Sequence, residues 1–101
     1  MTRGALPRGG VEKLLVADVI LDDGIRLLLE NGKTLSLDYQ HDGGRGRNIF
    51  KEDEISIDYH PKPAKGDMRL VSVTVRREDK EIFRDRIPIG RIIAPLDATT
   101  V

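Results

Sequence analysis

Hydrophobic and polar residues alternate along much of the chain, and a period of two predicts β-strands rather than helices. In residues 33–39, for example, Leu35 and Leu37 alternate with small polar residues. The pair Asn31-Gly32 precedes this run. Asn-Gly between two strand-like runs predicts a hairpin with a type I′ turn, in which both central residues have positive φ. The rest of the chain reads as further strands added to this hairpin.

The same patterning predicts six strands, at residues 11–21, 25–30, 33–39, 54–59, 68–77 and 81–87. The run Leu14-Leu15-Val16 breaks the alternation of the first strand, which indicates either burial on both faces or a β-bulge. Pro88 restricts the segment after it to a sheet edge or a loop. The isoleucines beyond the sixth strand are expected to pack across the open end of a barrel.

Residues 40–48 lose this periodicity, and their three glycines disfavour a helix, so we expect a long surface loop there. Ile49 and Phe50 are expected to anchor that loop in the core. Residues 60–67 contain two prolines and a glycine and are expected to form a second loop. Residues 1–10 are expected to be a flexible arm and residues 94–101 a tail, which leaves one domain at residues 11–93.

Short strands joined by closely spaced turns predict an all-β fold, namely a small barrel of five or six strands. An OB-like barrel is the first expectation and an SH3-like barrel is the alternative. A chain of 101 residues is one domain and can bury a core without disulfides or metals.

Composition excludes several classes of function. The chain has no cysteine, which excludes disulfides, thiolate catalysis and cysteine zinc sites. No apolar run approaches the roughly 18 residues of a membrane span, and the N-terminus lacks a signal peptide core, so we expect a cytoplasmic protein without membrane contact. Charged residues make up 34% of the chain but sum to zero, so attraction to nucleic acid requires a local basic patch.

The most suggestive chemistry lies in the run Gly-Gly-Arg-Gly-Arg-Asn at residues 43–48. Glycines let backbone amides approach a phosphate, and Arg45 and Arg47 supply forked donors for it. The run is not a P-loop, because no Gly-Lys-Ser/Thr follows it. Lys33 and Arg69 are among the cations that extend this patch if the barrel brings them together.

Neither a metal site nor a catalytic site is predicted. Asp38, His41 and Asp42 lie close in sequence, but the strand that would orient them ends at Tyr39. The serines and threonines occupy strand positions, with no nucleophile elbow and no recognisable Ser-His-Asp arrangement. We therefore expect a non-catalytic protein without a cofactor.

The order of these features resembles the S1-like OB fold, the type found in bacterial translation initiation factor one. The resemblance covers residues 11–77 and is carried by Glu30-Asn31-Gly32, Arg47-Asn48, the strand at 55–58, Pro61, and Gly66 before the strand at 69–77. TOBE-type barrels of transport ATPases and Sm-like barrels share parts of this order. The resemblance implies RNA binding through the barrel face and loops, with Arg45, Arg47, Tyr39 and Tyr59 at the site.

Two hypotheses follow from the sequence. The first is a non-catalytic barrel that binds single-stranded or structured RNA through the Gly/Arg loop. The alternative is a protein-interaction or assembly module whose exposed sheet edge, at residues 81–93, pairs with a protein partner or with a second copy of the chain.

Overall fold

A computed structural model of the chain describes residues 10–59 and 69–94, and these residues form one curled antiparallel sheet of seven strands. The strands are β1 (Val11–Leu21), β2 (Ile25–Leu29), β3 (Thr34–Leu37), β4 (Glu54–Asp58), β5 (Leu70–Arg77), β6 (Lys80–Pro88) and β7 (Ile92–Ile93). Their order across the sheet is β6-β5-β4-β1-β2-β3-β7. The prediction of a small all-β barrel is confirmed as a half-barrel, although the described residues contain seven strands rather than five or six.

The long first strand joins the two halves of the sheet. Its first five residues pair with β4, five of its last six pair with β2, and the register shifts at Ala17. A bulge bends a strand and increases its twist, which allows β1 to belong to both halves. We call β6, β5, β4 and the start of β1 half-sheet A, and the end of β1 with β2, β3 and β7 half-sheet B. The irregularity expected at residues 14–16 therefore lies at Ala17, because Leu14, Leu15 and Val16 keep the alternation.

Alternate side chains of both half-sheets point into a single apolar core. The buried residues come from β1 to β6, from Tyr59 directly after β4, and from Ile49, which packs in the core as predicted. Strand periodicity places them there, since every second side chain of a strand lies on the same face. The core consists of Val16, Ile25, Leu27, Leu29, Leu35, Leu37, Ile49, Ile55, Ile57, Tyr59, Val71, Val73, Val75, Phe83 and Ile87.

The turn between β2 and β3 differs in type from the prediction. Gly32 has φ +91°, but Asn31 is not among the residues with positive φ. The Gly32 amide donates to the Leu29 carbonyl at 2.9 Å, and the Leu29 amide donates to the Lys33 carbonyl at 2.8 Å. These bonds describe a three-residue loop that ends in a left-handed glycine, the next most common hairpin after type I′.

The C-terminal part of the described chain is more regular than expected. Strand β6 continues through Pro88, a 3₁₀ turn follows at Ile89–Arg91, and the two residues of β7 pair with β3. Among the isoleucines expected to cover the open end, Ile87 is buried and two others are half-buried, but Ile93 is 52% exposed because it lies on the outer face of β7. The arm predicted at residues 1–10, the loop at 60–67 and the tail at 94–101 lie wholly or mostly outside the described residues.

Candidate nucleic-acid interface

The Gly/Arg segment is ordered as a kinked 3₁₀ segment, η1 (His41–Asn48), where the sequence predicted an irregular loop. Asp42, Gly43 and Gly44 all have positive φ and interrupt the segment. Glycine adopts this conformation without a steric penalty, and Asp tolerates it better than most residues. The glycines therefore do not prevent helical turns, but they divide the segment into two short 3₁₀ turns on either side of a kink.

The start of η1 is attached to the edge of β6. The Asp42 amide donates to Oδ2 of Asp85 at 2.8 Å, and the Arg84 amide donates to Oδ2 of Asp42 at 2.9 Å. The Arg84 amide points away from β5, so Asp42 satisfies a donor that an edge strand would otherwise expose.

The middle and the end of η1 are also fixed. Gly46 is buried, and a β-carbon on it would lie 2.8 Å from Cδ1 of Ile25, so only glycine fits without movement of the core. At the end of the segment, Nη2 of Arg77 donates to the Asn48 carbonyl at 2.7 Å. The segment thus closes one end of the half-barrel and holds its arginines on a rigid support.

Three of the predicted site residues lie on or beside η1. Nη1 of Arg45 is 3.4 Å from Oδ2 of Asp42, and the Arg45 side chain is about half exposed. The guanidinium of Arg47 lies 5.4 Å from the ring centre of Tyr39. The Tyr39 hydroxyl in turn donates to the Asp22 carbonyl at 3.0 Å, so this ring supports Arg47 and is only half exposed itself.

Two other predicted residues belong to a separate cluster around Glu12. Nζ of Lys33 lies 3.0 Å from Oε1 of Glu12, and the Tyr59 hydroxyl donates to the same oxygen at 2.8 Å. Burial raises the pKa of Tyr59, and the hydrogen bond and negative charge of Glu12 raise it further. Tyr59 is only 8% exposed. Its ring is therefore part of the core and is not a surface for stacking a base.

The Glu12 cluster and η1 lie apart. Lys33 immediately precedes β3 and Tyr39 follows it, so they are at opposite ends of that strand, separated by about 20 Å of extended chain. Arg69 is exposed directly before β5, where its carbonyl accepts a hydrogen bond from the Ile89 amide at 2.9 Å. The structure thus brings Arg45, Arg47 and Tyr39 together, and it places Lys33, Tyr59 and Arg69 elsewhere.

Sequence reasoning missed the two arginines of β6. Arg84 and Arg86 are both exposed on the outer face of half-sheet A, opposite Thr74 and Ser72 of β5. Nη2 of Arg84 lies 3.2 Å from Oε1 of Glu81, whereas no carboxylate within the described part of the chain pairs with the Arg86 guanidinium. Their alternation along a predicted strand was a usable signal, because residues two apart share a face.

A shallow groove of about 680 Å³ lies beside these arginines. Small hydroxyl side chains from β4 and β5 line its middle, and the arginines of β6 line one side. The lining residues are Val11, Ser56, Asp58, Ser72, Thr74, Arg84, Asp85 and Arg86. Hydroxyl and guanidinium groups donate hydrogen bonds to an anionic ligand, whereas Asp58 and Asp85 add two carboxylates to the same lining.

Phe50 does not anchor the core as predicted, because its side chain is 58% exposed. The Arg77 guanidinium lies over its ring, 4.5 Å from the ring centre. Arg77 also makes a bidentate ion pair with Asp53, which is 3% exposed. The turn after Ile49 carries Phe50 outward, so the two adjacent apolar residues have opposite environments.

We also searched the described residues for metal-binding clusters and for membrane-spanning helices. No group of three or more His, Asp or Glu among residues 10–59 and 69–94 is arranged to hold a metal ion. No helix in this part of the chain is long and apolar enough to cross a membrane. Comparison of the chain with protein-family models, with curated proteins and with solved structures gave no match.

Proposed function

We propose that the protein is a non-catalytic RNA-binding barrel that holds unpaired RNA by its phosphates along the β6 edge. The observation that carries the proposal is the attachment of η1 by Asp42, which keeps Arg45 beside the strand that presents Arg84 and Arg86. The guanidinium fork matches two phosphate oxygens at once. The hydroxyl-lined groove next to this edge offers further donors to a nucleic-acid backbone.

The charge balance of the chain makes this proposal specific. Because the formal net charge is zero, general attraction to a polyanion is absent and the contacts must come from this edge. Each phosphate contact on a single strand contributes about −0.7 to the slope of log K against log salt concentration. Four contacts, from Arg45, Arg47, Arg84 and Arg86, therefore predict a slope of about −3.

The test is fluorescence anisotropy with a labelled, mixed-sequence single-stranded RNA at several salt concentrations. The double variant Arg45→Ala/Arg86→Ala removes two exposed cations without touching the core. We expect it to bind about tenfold or more weakly at low salt, because two charge-assisted hydrogen bonds are lost. Its salt slope should be less negative by about 1.4.

Arg26→Ala is the matched control, since Arg26 is an equally exposed arginine on the outer face of β2, in half-sheet B. It should bind RNA as the unsubstituted protein does. Absence of salt-dependent binding by the unsubstituted chain, or equal weakening by Arg26→Ala, would contradict the proposal.

The alternative function, a protein-interaction module at the sheet edge of residues 81–93, has its best support at β7. The Arg84 and Arg86 amides in the middle of β6 already donate to carboxylates, which disfavours strand addition there. Ile93 is more than half exposed, and within residues 10–59 and 69–94 β7 pairs only with β3. Self-association at this edge would appear as a sedimentation coefficient that rises with protein concentration. A monomer at high concentration would exclude it.

A further inference from the structure

The four aromatic residues of the chain have different environments. Tyr59 and Phe83 are buried, Tyr39 is half-buried, and Phe50 is 58% exposed. A single exposed apolar side chain is common on protein surfaces and indicates nothing alone. The neighbours that hold the Phe50 ring in place therefore decide whether it is a binding feature.

A nearly buried carboxylate fixes both Phe50 and the cation beside it. Oδ2 of Asp53 accepts the Phe50 amide at 2.8 Å, and both of its oxygens accept hydrogen bonds from Arg77 at 2.8 and 2.9 Å. Nη2 of Arg77 also donates to the Asn48 carbonyl. The exposed ring and its guanidinium are thus held before any ligand arrives, which lowers the entropic cost of binding.

The surface next to the ring carries charges of both signs. A depression of about 420 Å³ is lined by Phe50, Lys51, Glu52, Asp53, Glu54, Arg76, Arg77 and Glu78. Within the described residues, the side-chain carboxylates of Glu52 and Glu54 receive no hydrogen bond. Free carboxylates repel a phosphate, but they accept hydrogen bonds from the amino groups of nucleobases, as Glu does from cytosine N4.

We propose that Phe50 and Arg77 form a stacking platform for one unpaired base that carries an exocyclic amino group, with Glu52 or Glu54 accepting from that group. The inference deepens the proposed function and rests on it. Arg47 lies three residues before Phe50, so a strand held by the η1 arginines reaches the platform within a short oligonucleotide. Arg77 covers one side of the ring, and the exposed part of the ring receives the base, as in other single-strand binding proteins.

The chain has no tryptophan, so Phe50→Trp introduces a single fluorescent reporter at the platform. Titration of this variant with short oligo(C) should quench the tryptophan, whereas oligo(U), which has no amino group, should bind several-fold more weakly. In anisotropy with labelled oligo(C), Phe50→Leu keeps an apolar side chain but removes the ring. We expect it to lower affinity by about five- to a hundredfold, the range for loss of one stacked base.

The two proposals fail in different ways. If oligo(C) binds with the expected salt slope but Phe50→Leu binds as tightly as the unsubstituted chain, the platform is wrong and the proposed function stands. Equal affinity for oligo(U) and oligo(C) overturns the role of the carboxylates. No binding of either oligonucleotide overturns both proposals. Loss of self-association rather than of RNA binding in Phe50→Leu would assign Phe50 to a protein contact instead.

Discussion

Asp53 is the residue on which most local structure depends. It is 3% exposed, and it joins the end of η1, the turn before β4 and the end of β5 through Phe50 and Arg77. Burial alone would raise the pKa of this carboxyl group. The hydrogen bonds from Arg77 and from the Phe50 amide, with the charge of Arg77, outweigh burial, so the pKa of Asp53 is lowered.

This lowered pKa has a consequence for acid stability. Because the folded state favours the ionised carboxylate, the stabilisation is fully present above the unfolded pKa of about 4 and is lost as pH falls toward the lower folded pKa. Asp53→Asn should lower the free energy of unfolding at neutral pH by about 2–3 kcal/mol, since the buried side chain loses its charge-assisted hydrogen bonds with Arg77. It should also flatten the loss of stability below about pH 4.

Denaturant unfolding at several pH values measures both effects. Asp38→Asn is the control, because it also breaks an Arg–carboxylate pair, with Arg91, but one whose carboxylate is about half exposed. Solvent screens such a pair, so its effect should be much smaller. If the stability of Asp53→Asn falls as steeply at acid pH as that of the unsubstituted chain, a group other than Asp53 controls the acid dependence.

Residue environments were most predictable where strand parity applied. Alternation placed Tyr59 on the face of Ile55 and Ile57, which is the core face, and parity alone would have excluded it from a binding surface. The resemblance to the S1-like OB fold assigned it to the RNA site instead. Phe50 lies in a turn where no period applies, so sequence offered no sign of its exposure.

At the scale of elements, η1 is the main difference between prediction and structure. Its glycines and its lack of apolar period were visible, but the contacts that order it come from Arg84 and Asp85, more than 40 positions along the chain. The strands, by contrast, were predicted to within about two residues, because their patterns are local. Strand β7 escaped prediction since it has only two residues.

Asp42 should be the residue that keeps η1 attached to β6. Asp42→Ala removes the acceptor of the Arg84 amide and places alanine at φ +51°. We expect a loss of about 1–2 kcal/mol and faster hydrogen exchange at the Arg84 amide, whose protection depends on that carboxylate. Asp42→Asn is the matched variant, since asparagine tolerates positive φ and its side-chain oxygen accepts the same bond.

Exchange at single amides, followed by NMR, distinguishes the two variants. Asp42→Asn should retain most protection at Arg84 and should also lose the ion pair with Arg45. The RNA affinities of the two variants then separate two effects. Asp42→Asn removes only the negative charge of residue 42, whereas Asp42→Ala also detaches η1 from β6. Equal protection of the Arg84 amide in Asp42→Ala and in the unsubstituted chain would mean that β6, and not Asp42, orders this edge.

Across the whole molecule, the two halves of the sheet present different outer faces. Both expose apolar side chains, namely Val11 and Leu15 in half-sheet A and Ile20, Leu28 and Ile93 in half-sheet B, but the groove lined by hydroxyl groups and arginines lies on half-sheet A. One strand, β1, belongs to both, so a single bulge separates the face that carries this groove from the outer face of half-sheet B. The alternating positions of the sequence indicated which side chains point outward, but the strands that assemble each face follow only from the strand order.

The two ends of the half-barrel are also closed differently. The segment η1 covers one end, where Gly46 packs beside Ile25, and the Glu12 cluster closes the other. Glu12 of β1 accepts hydrogen bonds from Lys33 and Asn31 in the β2–β3 turn and from Tyr59 after β4. These contacts connect the start of β1 and the end of β4, in half-sheet A, to the hairpin of half-sheet B.

This connection predicts how the whole fold responds to alkaline pH. Burial and Glu12 raise the pKa of Tyr59, so the folded state keeps the phenol protonated where the unfolded chain begins to ionise, at about pH 10. The unfolded state then binds fewer protons than the folded state, and stability falls as pH rises above that value. Tyr59→Phe should lose about 1 kcal/mol at neutral pH, because one hydrogen bond to Glu12 disappears.

Above about pH 10, however, stability should fall less steeply in Tyr59→Phe than in the unsubstituted chain, so the two unfolding curves should converge. Denaturant midpoints across this pH range measure the difference in stability between the two proteins. The lysines titrate in both proteins, so their contribution cancels in this difference. Glu12→Gln keeps an acceptor for the Tyr59 hydroxyl but removes the charge, and it should have an intermediate slope. Parallel curves would mean that the Tyr59 hydroxyl ionises equally in both states and does not link the two half-sheets.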